Sequence, residues 1–203
     1  MMWLAVHEEH LAGERALPPA AAHGLYLRRG TVALDGAALA EDSATARQGG
    51  GSLAGEGELW RFTLTREEPA QRHGLVLAHA LARDPALPFV LRMDRVDFPP
   101  GAVTPKHGHA GPGIRRLLHG LLLAELGEER RRIAAGEAWF EPGPEPVIGR
   151  ALAPGTAFIR CMALDAELLG QPSFRAWDAA EAAKPRGAQS RPFFDLLLQG
   201  LPT

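Results

Sequence analysis

Two histidines one residue apart, His107 and His109, lie in "GAVTPKHGHAGPGIRRLLHG", between a proline-rich entry and an apolar run that closes on Gly120. Alternate residues of a strand point to one face, so the two imidazoles can converge on one point. Such a pair suits zinc, iron, copper, nickel or manganese, but two ligands alone bind weakly and a third donor is needed. Glu141, in "WFEP", is the candidate for that place; otherwise it is a surface residue at a strand end. Arg115 and Arg116 are neighbours on the following strand, so one of them points inward in either register. An inward arginine beside two histidines offers bidentate hydrogen bonds to a carboxylate or phosphate on a small ligand; the alternative is an ion pair at the rim.

Other reactive side chains carry less. Cys161 is the only cysteine, which excludes an intramolecular disulfide and a thiolate cluster. Its setting in "AFIRCMAL" reads as a buried strand thiol. "HEEH" at 7–10 spaces its histidines three apart, not the four of a zincin helix, and reads as a solvated face. His119, just before Gly120, is expected to face solvent, and "RRR" at 130–132 reads as a soluble hairpin edge. "GPG" at 111–113 either leaves extra room beside the histidines or meets a loop's need for positive φ.

The elements that must position these residues read as strands. "HGLYLRRGTVALDG" is strand, turn, strand, with Asp-Gly as the tight turn, and "ELWRFTLT" alternates as a half-buried strand. "AEDSATARQGGGSLAG" reads as a surface loop, and 66–86 as one helix or an irregular connector. From 88 onward four short strand signals follow in quick succession, the pattern of an all-β sandwich or barrel. "FRAWDAAEAAKPRG" is compatible with a short helix, and "RPFFDLLLQGLP" with a segment packing back on the body. "LYLRRGTVALDG" and "RRLLHGLLLAELG" suggest a weak internal repeat.

With 203 residues and 46% apolar content, the chain has enough material for a sizeable core. A formal charge of -2 with no long basic run gives no footprint for nucleic acid or anionic lipid. The start lacks the basic region of a secretory signal and no later apolar run approaches a membrane span, so a cytoplasmic protein is expected. Asparagine is absent and Tyr26 is the only tyrosine, so ligand readout falls to Arg, His, Glu, Gln and backbone groups.

At this point the residues resemble the cupin family, small β-barrels of the double-stranded jelly-roll type. Its first motif runs Gly, five residues, His-x-His, a glutamate three or four places on, then a closing glycine; Gly101, His107, His109 and Gly120 fall in register. The glutamate's two permitted places hold Pro112 and Gly113. Its second motif runs Gly, five residues, Pro-x-Gly, two residues, His; Gly136 and Pro142 match, while Pro144 and Val147 stand at the glycine and histidine places. Two of the four ligands of metal-binding cupins are thus retained. Gly30 matches the closing glycine in the first half, with His23 at the glutamate slot and Leu17 and Pro19 at the His-x-His slot, so no metal is expected there.

The resemblance implies an all-β cupin barrel in two related halves: a degenerate half at 1–70, a connector at 71–87, the His-x-His barrel at 88–165 and a helix and tail at 166–203. It implies either a metal-dependent, oxygenase-like enzyme or a metal-free protein. In the first, His107 and His109, with or without Glu141, hold one divalent Fe, Ni, Mn or Zn and act on a small organic molecule. In the second, Arg115 or Arg116 and the histidines bind or sense a small anion. A homodimer through a sheet edge is also expected.

Overall fold

The computed structural model describes residues 1–19, 21–70 and 74–201. They divide into two compact units, Met1–Leu91 with Phe193–Thr203, and Arg92–Pro192. Among the described residues, no helix is long and apolar enough to cross a membrane.

The first unit is built on one antiparallel sheet. Its strands are β1 (Met2–Leu17), β2 (Ala21–Leu34), β3 (Ala37–Leu39), β4 (Ser43–Gln48), β5 (Gly51–Thr65) and β6 (Leu75–Leu81). Their order is β3-β2-β5-β1-β6, with β4 also on β2. The β2–β3 hairpin turns on Asp35 and Gly36, both at positive φ (49° and 82°), as an Asp-Gly turn requires. Leu11, Leu25, Leu27, Leu53 and Leu59 close one core on one face. Tyr26 packs its ring at a tilt against Trp60 and Phe193, with ring centres 5.8 and 5.9 Å apart.

Three expectations are corrected in this unit. The segment read as a helix or connector contains β6, paired antiparallel with β1; its apolar residues suit a half-buried strand as well as a helix, and residues 71–73 lie outside the described set. The segment read as a glycine-rich loop is β4 and the start of β5, because glycine here permits close approach of strands: a Cβ on Gly55 would stand 2.1 Å from the Thr31 carbonyl oxygen. "HEEH" lies within β1 and is not simply a solvated face. Glu9 is only 7% exposed and holds Arg61 through two contacts of 2.7 and 2.6 Å.

The second unit carries the remaining strands: β7 (Phe89–Asp97), β8 (His107–His109), β9 (Gly113–His119), β10 (Leu121–Leu126), β11 (Glu129–Ala134), β12 (Ala138–Glu141), β13 (Val147–Ala151), β14 (Ala157–Asp165), β15 (Phe174–Ala176) and β16 (Gln189–Leu198). β7 and β16 each run across the division. One sheet runs β11-β10-β13-β8-β15 and the other β12-β9-β14-β7-β16. Leu122, Ala124 and Ile133 from the first sheet pack with Leu117, Trp139 and Phe158 from the second in a single core, so the sheets close face to face as a jelly roll. The expected C-terminal helix reduces to α1 (Ala179–Ala182), after β15, with Asp178 capping it by accepting from the Glu181 N–H.

The proposed repeat does not fold alike in its two places. Gly120 separates strands of different sheets, whereas Gly30 lies inside β2, paired with Gly57 just past a register shift, where a Cβ would meet the Glu56 carbonyl oxygen at 2.3 Å.

Candidate functional site

A cavity of about 280 Å³ opens in the barrel of the second unit. Strand alternation brings His107 and His109 from β8, Arg115 from β9, Glu141 from β12 and Arg160 from β14 to its lining. Arg186, Thr104 and Ser190 also reach it, and the rest of its walls are apolar and aromatic, with Phe98, Leu122, Trp139, Phe158 and Phe174 prominent. Arg116, one residue on from Arg115, turns to the other face and donates to the Gly136 carbonyl at 2.9 Å; it is not part of the lining. His119 is exposed, and Cys161 is fully buried, with burial pushing its thiol pKa up.

Arg115 is the centre of the arrangement. It is 1% exposed, and its Nη2 stands 2.7 Å from Glu141 Oε2. The two charges are close, but their hydrogen-bonding directions are not aligned, so Nη2 and Oε2 each lack a hydrogen-bond partner among the described residues. Nη1 donates to the Gly113 carbonyl at 2.7 Å, and Glu141 Oε1 accepts from Trp139 Nε1 at 2.8 Å. Burial lowers the Arg115 pKa to about 10 against the opposing pull of Glu141, which leaves the guanidinium charged at neutral pH.

Gly113 takes neither of its two expected parts. Its φ is not positive, and the space above it is filled: a Cβ there would stand 2.6 Å from the Cys161 carbonyl oxygen and 3.1 Å from Arg115 Nη1. Glu141 pairs with Gly113 across β12 and β9, so a carboxylate enters from the strand next to the empty glutamate slot.

Arg160 was not singled out by the sequence, yet it lies opposite Arg115 on the neighbouring strand. Its Nε and Nη2 grip the two oxygens of Asp94, whose Oδ2 also accepts from Ser190 at 2.6 Å. Burial pushes the Arg160 pKa down, but Asp94 and Glu141 outweigh it and the net shift is upward. Its Nη1 donates to His109 Nε2 at 3.3 Å, which places the ring proton of His109 on Nδ1. Burial, then the charges of Arg160 and Arg115, hold the His109 pKa far below the ordinary value, and burial also lowers that of His107. Both imidazoles are therefore neutral at neutral pH. The only sequence signal for Arg160 was a charged residue at a strand position otherwise apolar on both sides.

These donors do not fit a metal ion. Glu141 Oε1 and His109 Nε2 are committed to Trp139 and Arg160, and Glu141 Oε2 lies against Arg115; His107 Nδ1 donates to the Pro105 carbonyl at 2.8 Å, which leaves its Nε2 as a single free donor nitrogen. Among the described residues no three of His, Cys, Asp or Glu are grouped to hold one. Val147, at the second motif's histidine place, pairs directly with His107 and supplies only a methyl wall. The expected set of His107, His109 and Glu141 thus lines one cavity without being grouped as a three-donor site, and Arg115 and Arg160 lie against Glu141 and His109.

No protein-family model matches the sequence, and no curated protein does. Solved structures do share its architecture. Salicylate 1,2-dioxygenase from Pseudaminobacter salicylatoxidans has a TM-score of 0.54 at 10% identity, over 94% of this chain and 75% of that one. AerE from Microcystis aeruginosa has 0.50 at 15%, over 81% and 87%. A cupin 2 conserved barrel domain protein from Leptotrichia buccalis has 0.50 at 12%, over 79% and 83%. The chain has the cupin fold.

Proposed function

We propose that the barrel of the second unit binds a small organic anion without a metal ion. The observation that supports this reading is the arginine pair among the cupin histidines, Arg115 buried and Arg160 half-buried. Glu141, Asp94 and His109 are spent on holding Arg115 and Arg160. With neutral histidines, the lining carries Arg115, Arg160 and Arg186 against Glu141 and, behind Arg160, Asp94, which leaves one positive charge in excess. Apolar walls around a few convergent polar groups are the usual composition of a small-molecule site. The metal-dependent, oxygenase-like alternative draws on the likeness to salicylate 1,2-dioxygenase, which at 10% identity concerns the fold.

The test is elemental analysis of protein purified without an affinity tag, beside a His107→Ala, His109→Ala double variant, with thermal shifts for a panel of small carboxylates with and without chelator. The expected result is no stoichiometric metal and ligand shifts that survive chelator. About one metal per chain in the parent and none in the double variant overturns the proposal.

A further inference from the structure

We infer that Arg186 selects the ligand of this cavity, and that the ligand is a monocarboxylate whose apolar body enters the barrel while its carboxylate stays at Arg186. The inference rests on the binding reading above and goes on to name the ligand class and the residue that sets it.

Three guanidinium groups line the cavity, and two are already neutralised within the barrel: Arg160 by Asp94 and Arg115 by Glu141. The Arg186 side chain has no hydrogen bond or ion pair among the described residues. Its guanidinium carbon lies 4.4 Å from the centre of the Phe174 ring, and that ring stacks on His107 at 4.6 Å with 20° between planes. A contact with a ring face holds an arginine in place while spending none of its five N–H donors. Arg186 is exposed and still lines the cavity, so it stands at the mouth.

Its position is fixed by the segment that carries it. Glu181 accepts the Lys106 backbone N–H at 2.9 Å and pairs with Lys184 at 2.6 Å, tying 179–184 to the residue just before His107. Gly187 has φ +72°, and a Cβ on it would meet the Val103 carbonyl oxygen at 2.3 Å, so only glycine lets the chain seat there beside Arg186. The mouth therefore presents one unspent fork of donors, matched to the two oxygens of a carboxylate. Behind it the walls are Phe98, Leu122, Trp139 and Phe158, which favour an apolar body. A second carboxylate carried inward meets no unneutralised cation, so a dianion is disfavoured.

The experiment is isothermal titration in chelator with three probes of one size class: benzoate, its neutral amide benzamide, and the dianion phthalate, against the parent and Arg186→Gln. Benzoate is expected to bind the parent about tenfold tighter than benzamide, the scale of a charged hydrogen bond, and tighter than phthalate. Arg186→Gln is expected to bring benzoate down to the benzamide level and leave benzamide unchanged. If benzamide binds both proteins and the benzoate preference is missing in the parent or survives in the variant, the assignment to Arg186 fails while the cavity reading stands. If none of the three probes binds the parent, the inference falls together with the reading beneath it.

Discussion

Arg115 and Arg160 lie directly opposite each other on β9 and β14, two like charges in register inside one barrel. Like charges opposite on adjacent strands destabilise a sheet unless each is compensated. Here each has its own carboxylate, delivered by a different strand: Glu141 from β12 and Asp94 from β7. The arrangement is four charges in a row, not two, and it is sensitive to losing any one of them.

Removing one partner of the buried Arg115–Glu141 pair leaves an uncompensated charge. Arg115→Met and Glu141→Gln are each expected to cost about 3–5 kcal/mol of unfolding free energy. The double variant Arg115→Met, Glu141→Leu is expected to lose less than the two singles together, because the core then holds neither charge. Urea denaturation of the four proteins checks this; strict additivity contradicts a coupled pair.

Restoring the motif's glutamate is expected to damage the barrel. Gly113→Glu places a Cβ 2.6 Å from the Cys161 carbonyl oxygen and drives the longer chain at Arg115. A loss of about 1–3 kcal/mol or more is expected from overpacking, with no gain of bound metal. A fall in Tm, with elemental analysis unchanged, is the outcome that fits.

Buried neutral imidazoles make the fold acid-sensitive. Burial lowers the pKa of His7 and His23 to about 4, and those of His107 and His109 are also below the ordinary 6.5. Between the folded and unfolded values the unfolded chain binds more protons, so stability falls as pH drops from about 6.5 towards 4 and is insensitive to these groups above 6.5. His23 is fully buried, and its shift corresponds to a loss on the order of 3 kcal/mol across that window. Denaturation at pH 7 and pH 4.5 for the parent and His23→Gln measures the difference; an equal acid loss in both removes His23 from the account.

In the first unit, Glu9→Gln weakens the grip on Arg61, whose side chain is 13% exposed. A cost of about 2–3 kcal/mol is expected, less than for the fully enclosed Arg115 pair. Denaturation at low and high salt checks it, since a pair this buried is little screened and the cost persists in salt.

The barrel was legible because its signals are local. His107, His109, Gly120, Gly136 and Pro142 keep their spacing through turn and strand geometry that few other residues satisfy. The reach of β1 and β5 was not legible, because Glu8 and Glu9 read as solvated until paired with Arg28 and Arg61 across strands. The site was legible in part. His-x-His and an inward arginine follow from alternation along one strand, whereas the pairing of Arg160 with Asp94 joins residues 66 positions apart. The absence of a glutamate at 113 was visible in the sequence, but not that Arg115 fills its place, since that depends on which way one side chain folds over its own strand.

A guanidinium in the barrel is written into the chain, whereas a metal ion must be acquired after folding. Arg115 does not dissociate, does not change oxidation state, and is not exchanged for a competing ion. The charge at the heart of this barrel is therefore present as soon as the strands close, and it is independent of metal supply and of the redox condition of its surroundings.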